Sequence, residues 1–479
     1  MSRREFLKIA GIAGATVGLG AGFGGIFAAC DETEGTTTTG GTTTTTAGGA
    51  TTTTGVATTA VASSTTVSLG PEVGRDIKIG LVSPTTGPLA LFGKADDWWT
   101  EFALATQGDG FLCGDGKLHK FAFRRLDSRS DPDRAAQAAG ELIAYHDVDI
   151  VTCSGSSDTV NPVADKAEVL ECPCICSFVA WESLASARVV TSGRPRGWTY
   201  AHAIGLEDVM GNFMAMWGQL ETNKKIGFVF ADDIDGRAWT DTIQGLSSAL
   251  ETAGYKYFLP DPYPVPTDDF TKCIAALTKE GCEIFCGSMT TLDFSSFWKQ
   301  AVRLDYKPEI VSIGKALFFP QTVEAIGDSA RNTTVEGLWQ PDWSYRDSIT
   351  GKTCQELADD YSAKTGEQWT IAIAQYAKFE WAVDVFKRVS NVDDKEDVIA
   401  RIRTTKLDTC LGRIDFTTPI DTADLNKSKR PVENVCKAPV GGAQWVSDAK
   451  FAYERKMVTN VNNPGLPVSG KVQPMAYAS

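Results

Sequence analysis

The sequence predicts an α/β protein of two similar lobes, each a parallel sheet covered by helices on both faces. Three observations carry that prediction. From Asp76 onward, short β-type runs alternate with segments of helical composition, the pattern of a doubly wound sheet. The alternation runs through two successive series of similar length. A chain of 479 residues with 43% hydrophobic content is also longer than a single core usually supports.

Two segments precede the folded region. Ser2-Arg3-Arg4-Glu5-Phe6-Leu7-Lys8 is followed by a weakly apolar Gly/Ala stretch and then by Phe27-Ala28-Ala29-Cys30. Adjacent arginines Arg3 and Arg4 before Phe-Leu-Lys look like a twin-arginine export signal, and a small-residue pair before Cys30 resembles a lipobox, with Phe27 bulkier than the usual aliphatic residue. Residues 9–29 are short of Leu and Val, so they insert poorly as a permanent span, and cleavage before a lipidated Cys30 is the favoured reading. Residues 36–66 are almost entirely Thr, Gly and Ala. Such a tract buries too little apolar surface to offset its ordering entropy, and it reads as an extended tether with a span near ~30 Å. The expected organisation is a signal at 1–29, a lipidated Cys30 with linker at 30–75, and folded lobes thereafter.

Within the folded region Ile77–Val82 is a β-type run ending in Ser83-Pro84-Thr85-Thr86-Gly87-Pro88, and 93–107 has helical composition. A strand near 119–125, a helix near 132–145, a strand at 148–153, a helix near 160–170 and a strand at 173–177 complete the first series. The second series runs through a helix at 207–221, a strand at 225–231, helices at 237–253 and 269–280, a strand at 283–287, a helix at 292–302 and a strand at 309–313. Helices near 353–365 and 370–390 and short strands near 411–415 and 443–446 return to complete the lobes.

The formal charge is −14; the signal carries a net +2, so the mature chain carries −16. A surface that acidic repels phosphate backbones and anionic lipid heads, which argues against a nucleic-acid partner and against membrane contact other than through an N-terminal lipid. Of twelve cysteines, Cys30 leaves eleven, an odd number that predicts at least one free thiol. Cys172, Cys174 and Cys176 alternate as on one strand face, which suits small buried hydrophobes better than a tetrahedral metal site. Cys410 and Cys436 flank a strand-loop-strand segment and are the candidate disulfide. No metal or cofactor is expected.

Several segments in order resemble the type I periplasmic binding proteins, and within them the branched-chain-amino-acid-type receptors of ABC transporters. "IKIGLVSPTTGPLALFGKA" (77–95) is similar to the family's opening strand and Gly-Pro loop, and "LDSRSDPDRAAQAAGELI" (126–143) to its Asp-Pro helix start. "CSGSSDTVNPVADKAE" (153–168) resembles its ligand loop, and "DDFTKCIAALTKEGCEIFCG" (268–287) its Asp-Phe helix leading to a strand. The resemblance implies a two-lobed receptor with a three-strand hinge. It places lobe one at 76–204 and 342–410, lobe two at 205–341 and 411–470, and a tail at 471–479. The implied function is capture of a small solute in a cleft that closes and is presented to permease subunits, by a monomer outside the cell membrane.

The resemblance also implies contact residues. Ser156 and Ser157 lie between a strand end and a helix start, where hydroxyls and free N–H groups suit a carboxylate; the alternative is simple capping by Ser157 or Asp158. Ser177–Trp181 matches the family's second contact segment, with Ala180 and Trp181 as candidates and Trp181 as a stacking platform. Phe92 falls at a cleft aromatic position, and equally it could begin the first helix's buried face. In lobe two the segment 231–236 puts Asp235 where the amino-acid receptors have a tyrosine. Ile313-Gly314-Lys315-Ala316 puts Lys315 where they have an acid for the ligand's ammonium, so Lys315 is expected either to repel an ammonium and attract an anion or to be a solvated surface charge. Trp339 and Trp343 sit at the proposed second crossover, where hinge packing is the favoured reading.

An enzyme is the main rival class. His119, His146 and His202 adjoin no nucleophile motif, and the sequence has no Gly-x-Ser-x-Gly, His-Glu-x-x-His or phosphate loop. A solute-sensing domain for a signalling receptor is the second rival, and a wall-displayed surface protein a third.

Overall fold

Ile77–Ser83 (β1) is buried along nearly its whole length on both faces, as a strand in the middle of a helix-covered parallel sheet must be. The computed structural model that contains it describes residues 70–184, 196–418, 420 and 434–477. Arg3, Arg4, Cys30 and most of the tether lie outside the described residues.

After β1 come α1 (Asp96–Ala105), a short hairpin of β2 (Phe111–Leu112) and β3 (Leu118–His119), β4 (Phe121–Asp127), α2 (Pro132–Ala144), β5 (Ile150–Cys153), α3 (Ser157–Val169), β6 (Cys174–Ala180) and β7 (Thr199–Ile204). The second series is α4 (Leu206–Trp217), β8 (Lys225–Phe230), α5 (Ile234–Gly245), α6 (Ser247–Thr252), β9 (Lys256–Phe258), α7 (Thr271–Glu280), β10 (Ile284–Met289), α8 (Thr291–Arg303), β11 (Ile310–Lys315), α9 (Pro320–Ile326) and β12 (Thr334–Gly337). The last part holds α10 (Cys354–Thr365), α11 (Ala377–Arg388), α12 (Lys395–Arg403), a hairpin of β13 (Lys406–Thr409) and β14 (Gly412–Asp415), then β15 (Val435–Lys437), β16 (Gly441–Ser447) and β17 (Tyr453–Thr459).

The helix starts follow local chemistry. Asp131 caps α2 by accepting from Arg134 N, with Pro132 at the first position, and Thr353 with Glu356 forms a capping box on α10. The strands form two large sheets. The first has the order β15-β7-β6-β5-β1-β4, paired in parallel throughout. The second has the order β17-β16-β12-β11-β10-β8-β9, parallel from β12 to β9 and antiparallel from β12 to β17. One face of the first sheet carries its own apolar cluster, in which Ala138, Leu142 and Val160 pack against Val151, Cys174 and Cys176.

The chain crosses between the sheets after β7, after β12 and after β15. Two boundaries differ from those expected. β15 pairs in parallel with β7, so part of the segment assigned to lobe two at 411–470 belongs to the first sheet. Three residues, Val-Cys-Lys, carry no periodicity of their own, and their pairing is decided by tertiary contact. The expected tail also packs: Val472 and Met475 are buried, and Gln473 N donates to Gln444 Oε1 at 2.9 Å.

Cys410 and Cys436 are both free thiols, which corrects the expected disulfide. Cys410 sits at the turn of the β13–β14 hairpin, whereas Cys436 accepts from Asp415 N at the hairpin's far end. The four residues of β14 separate those places by roughly 10 Å, beyond the reach of a disulfide. Cys172, Cys174 and Cys176 are likewise free and buried in the apolar cluster, as small hydrophobes.

Candidate functional site

In parallel sheets the chain emerges at the carboxyl ends of the strands, and ligands collect there. β5 ends at Cys153 and opens into Ser154–Ser156 before α3, and the loop is anchored from beneath. The Lys378 ammonium donates to Cys153 O at 2.6 Å and to Ser154 Oγ at 3.3 Å. Asp96 accepts from Ser83 Oγ, from Trp99 Nε1 at 2.7 Å and from Ser154 Oγ at 3.3 Å. Burial raises the Asp96 carboxyl, opposed by the Lys378 charge, and burial lowers Lys378. These buried partners carry no motif that sequence reading detects.

Ser156 is the N-cap residue of α3, yet its side chain caps no backbone N–H; its Oγ donates to Asp158 Oδ2 at 3.2 Å. Ser157 Oγ accepts from Ser183 Oγ at 2.7 Å, and Ala180 O accepts from the same hydroxyl at 2.9 Å. Asp158, in the first turn of α3, reaches the second sheet's loops: its Oδ1 accepts from Ile234 N, the first residue of α5, at 3.1 Å.

Opposite stands Lys315, the last residue of β11, with a φ of 56° that a non-glycine residue adopts only under strain. Its Nζ lies 2.7 Å from Asp235 Oδ2, 3.0 Å from Asp233 Oδ2 and 3.3 Å from Asp158 Oδ2. One ammonium, 8% exposed, thus faces three carboxylates, two from the second lobe and one from the first. Burial works against charge on Lys315, but Asp235, Asp158 and Asp233 outweigh it and hold its pKa well above the usual lysine value. For Asp158 the Lys315 charge and the Ile234 N–H outweigh burial, and its carboxyl is held below the usual range. Burial pushes Asp235 up to about 6, with Lys315 opposing and the other two carboxylates adding to the rise.

Gly236 makes this geometry attainable. A Cβ there would stand 1.8 Å from Ala231 O, so only glycine lets α5 start directly on the end of β8 and aim Asp233 and Asp235 at Lys315. Tyr263, hydrogen-bonded to Asp293 Oδ2 at 3.0 Å, closes the same corner.

The Lys315 ammonium, expected to attract an anion, is already met by three carboxylates of the protein itself. Phe92 packs edge-on against Phe319 at 5.0 Å and Phe318 at 6.1 Å, so an aromatic contact also crosses between the lobes. Trp181 stands elsewhere. It is 3% exposed, belongs to the first lobe's apolar cluster and donates to both Glu207 oxygens at 3.1 and 3.2 Å. Glu207 also takes Lys437, which reaches Asp208 at 2.8 Å, so Trp181 serves the first and third crossovers as packing. Trp339 and Trp343 pack too: Trp339 Nε1 donates to Cys410 O at 3.1 Å, and Trp343 stands edge-on to Tyr345.

The two lobes thus face each other across the carboxyl ends of their strands. A family model described as "Periplasmic binding protein" matches residues 76–425. The chain belongs to the periplasmic binding protein family. That membership places the folded region outside the cytoplasm, and among the described residues no helix is long and apolar enough to cross a membrane. A curated relative, Leu/Ile/Val-binding protein homolog 7 of Brucella abortus (strain 2308), is 24% identical over 298 residues, 61% of this chain and 71% of that protein. The leucine binding protein LivK of Thermotoga maritima shares the fold at a TM-score of 0.61 and 16% identity, over 81% of this chain and 99% of that one. So does a solute binding protein of an ABC transporter from Rhodopseudomonas palustris BisB5, solved with 3,4-dihydroxybenzoic acid, at the same score, identity and coverage. LivJ of Streptococcus pneumoniae, solved with isoleucine, gives 0.58 and 15%, over 80% of this chain and 99% of that one. The fold is the type I periplasmic binding protein fold, and the relatives are solute-binding proteins.

Proposed function

We propose that this protein is the extracytoplasmic solute-binding receptor of an ABC importer and that it captures a small carboxylate-bearing solute, an amino acid or an aromatic or organic acid, between its lobes. The observation that carries this reading is the place of Asp158. Its carboxylate stands where the N-termini of α3 and α5 meet and where Lys315 reaches across from β11. Helix N-termini and an ammonium form a ready anion site, and Asp158 fills it. A solute carboxylate would take those donors in its place, with the Ser156 and Ser157 hydroxyls beside it, Asp233 and Asp235 holding Lys315, and Phe92 with Phe319 walling the apolar part. Contacts from both lobes then stabilise only the closed state, which is what a permease would recognise. The solutes named with the solved relatives, isoleucine and 3,4-dihydroxybenzoic acid, both bear a carboxyl group. Cleavage before a lipidated Cys30, with the Thr-rich tether behind it, would hold the monomer near its permease and raise its effective concentration there.

A thermal-shift screen of carboxylates, amino acids and amides tests the reading. A solute at a hundred times its Kd adds about 2.7 kcal/mol to the folded state, enough to raise the melting temperature measurably. The expected hit is a carboxylate whose shift disappears in Ser157→Ala and whose amide gives none. An amide as effective as its acid would overturn the assignment.

A further inference from the structure

A groove of about 250 Å³ lies beside the second crossover, between α10 and the loop joining β16 to β17. α10 packs on the first lobe through the edge-on contact of Tyr361 with Trp98 at 5.7 Å, whereas β16 and β17 belong to the second sheet, so the groove has one wall from each lobe. Arg455 and Gln340 line it, and both are 2% exposed.

Arg455 is held in a fixed orientation. Its guanidinium stands 5.1 Å from the Trp369 ring centre and 5.8 Å from that of Trp445. Its Nη1 donates to Phe318 O at 3.3 Å and its Nη2 to Trp339 O at 2.6 Å. Glu336 and Asp342 act on it through space, and burial outweighs them, pulling its pKa down to about 9. It is still protonated at neutral pH. Among the described residues its Nε has no hydrogen-bond partner, and neither has Nε2 of Gln340. A buried guanidinium without a bonded carboxylate is costly, and each buried donor left unpaired adds to that cost. Both donors belong to residues that line one groove, and among the described residues neither finds an acceptor.

We propose that this groove is a second binding site, for the carboxylate group of a small ligand, with Arg455 and Gln340 as its donors and Trp369 against its flat body. A carboxylate offers two coplanar oxygens to a guanidinium edge and one more acceptor position to an amide, which a lone chloride does not. Asp342, Asp359, Asp448 and Glu454 also line the groove, against Lys450 and Lys456, so a phosphate dianion is disfavoured. The ligand is either a flat monocarboxylate or an amino acid whose ammonium meets those acids. Because the walls belong to different lobes, an occupant fixes the hinge angle. This goes beyond solute capture at Lys315 and does not depend on it.

The test is titration of the full mature chain with benzoate, phenylalanine and inorganic phosphate, followed by tryptophan fluorescence and calorimetry, in the native protein and in Gln340→Leu, Arg455→Lys and Ser157→Ala. Gln340→Leu keeps the volume, and circular dichroism reports whether Arg455→Lys is folded. The expected result is that benzoate or phenylalanine binds, weakens about tenfold in Gln340→Leu and more in Arg455→Lys, and is unchanged in Ser157→Ala. Binding of benzoate alone identifies a monocarboxylate, and binding of phenylalanine alone an amino acid. Binding lost in Ser157→Ala but retained in Gln340→Leu belongs to the cleft at Lys315 and overturns this site while leaving that one standing. Phosphate bound as tightly as either carboxylate, or no binding that responds to Gln340→Leu, also overturns it.

Discussion

Replacing Lys315 with methionine removes the cation from among one buried and two largely buried carboxylates and leaves the volume nearly intact. The loss follows from the geometry: Asp235, Asp233 and Asp158 stand 2.7, 3.0 and 3.3 Å from its Nζ. Breaking a buried pair from one side typically costs about 3–5 kcal/mol, because the abandoned charges stay desolvated. Against a total stability of about 5–15 kcal/mol that is a large fraction. The sign of its pH dependence is also set. The folded pKa of Asp235 is raised to about 6 with Lys315 present, and removing that charge raises it further. A carboxyl raised in the folded state binds more protons folded than unfolded, so stability falls as pH rises through that range. The Lys315→Met loss therefore reaches about 3–5 kcal/mol at pH 8 and shrinks by roughly 1–2 kcal/mol at pH 5.5, where protonation relieves the cluster. Urea unfolding of both proteins at the two pH values, followed by tryptophan fluorescence, measures this. A loss under ~1 kcal/mol at pH 8, or one equal at both pH values, would refute the reasoning.

Asp158→Asn keeps the shape and an acceptor for Ile234 N but gives up the charge facing Lys315. Losing about 1.5 kcal/mol of charge-assisted contact shifts the closed form more than tenfold toward open, and small-angle scattering of the solute-free variant should show a larger radius of gyration than the parent; an unchanged radius means that Asp158 does not hold the lobes together. His202 is buried on β7, neither ring nitrogen is bonded among the described residues, and burial pulls its pKa down to about 4. The unfolded chain takes the proton first as pH falls below about 6.5, so the stability of the neutral form is lost between there and pH 4, up to ~3 kcal/mol. His202→Leu should remove that share of the acid sensitivity, read as the difference in urea midpoint between the two proteins at pH 7 and at pH 4.5.

How much of this was legible in the sequence depended on whether a segment's character was local. The runs at 77–82, 148–153, 225–231 and 283–287 announce themselves because a strand buried on both faces is apolar along its whole length, and each corresponds to a strand of the structure. Thr199–Ile204 reads Thr-Tyr-Ala-His-Ala-Ile, fully buried yet mixed in composition, and it went unrecognised. β15 escaped for the same reason: its three residues are placed by β7 beside them and by no pattern within them. The loop holding Ser156 and Ser157 was legible as a strand-to-helix turn, since that is a local feature. The partners of Lys315 were not, because Asp158 lies 157 residues away and Asp233 lies 82 away.

That distance also explains why Lys315 misleads when read alone. A lysine at the end of β11 implies an attraction for anions only if its charge is unmatched. With three carboxylates around it, the cluster carries a net charge of −2 when all are ionised. A solute bearing only a carboxylate gains nothing by adding a fourth anion there; it must exchange with Asp158, taking the Ile234 N–H and the Lys315 contact as that side chain swings out. Exchange conserves the local charge, and the α3 N-terminus keeps an anion in either state. On that reading the two hydroxyls and the helix end would confer affinity, and Lys315 would set a threshold that a weakly held solute does not cross. A solute that also bears an ammonium does not face the repulsion that an isolated lysine implies, because Asp233 and Asp235 remain beside it as acceptors. On the proposed reading, the chemistry of the pair Lys315 and Asp158, rather than of the lysine alone, would therefore decide which carboxylates are admitted.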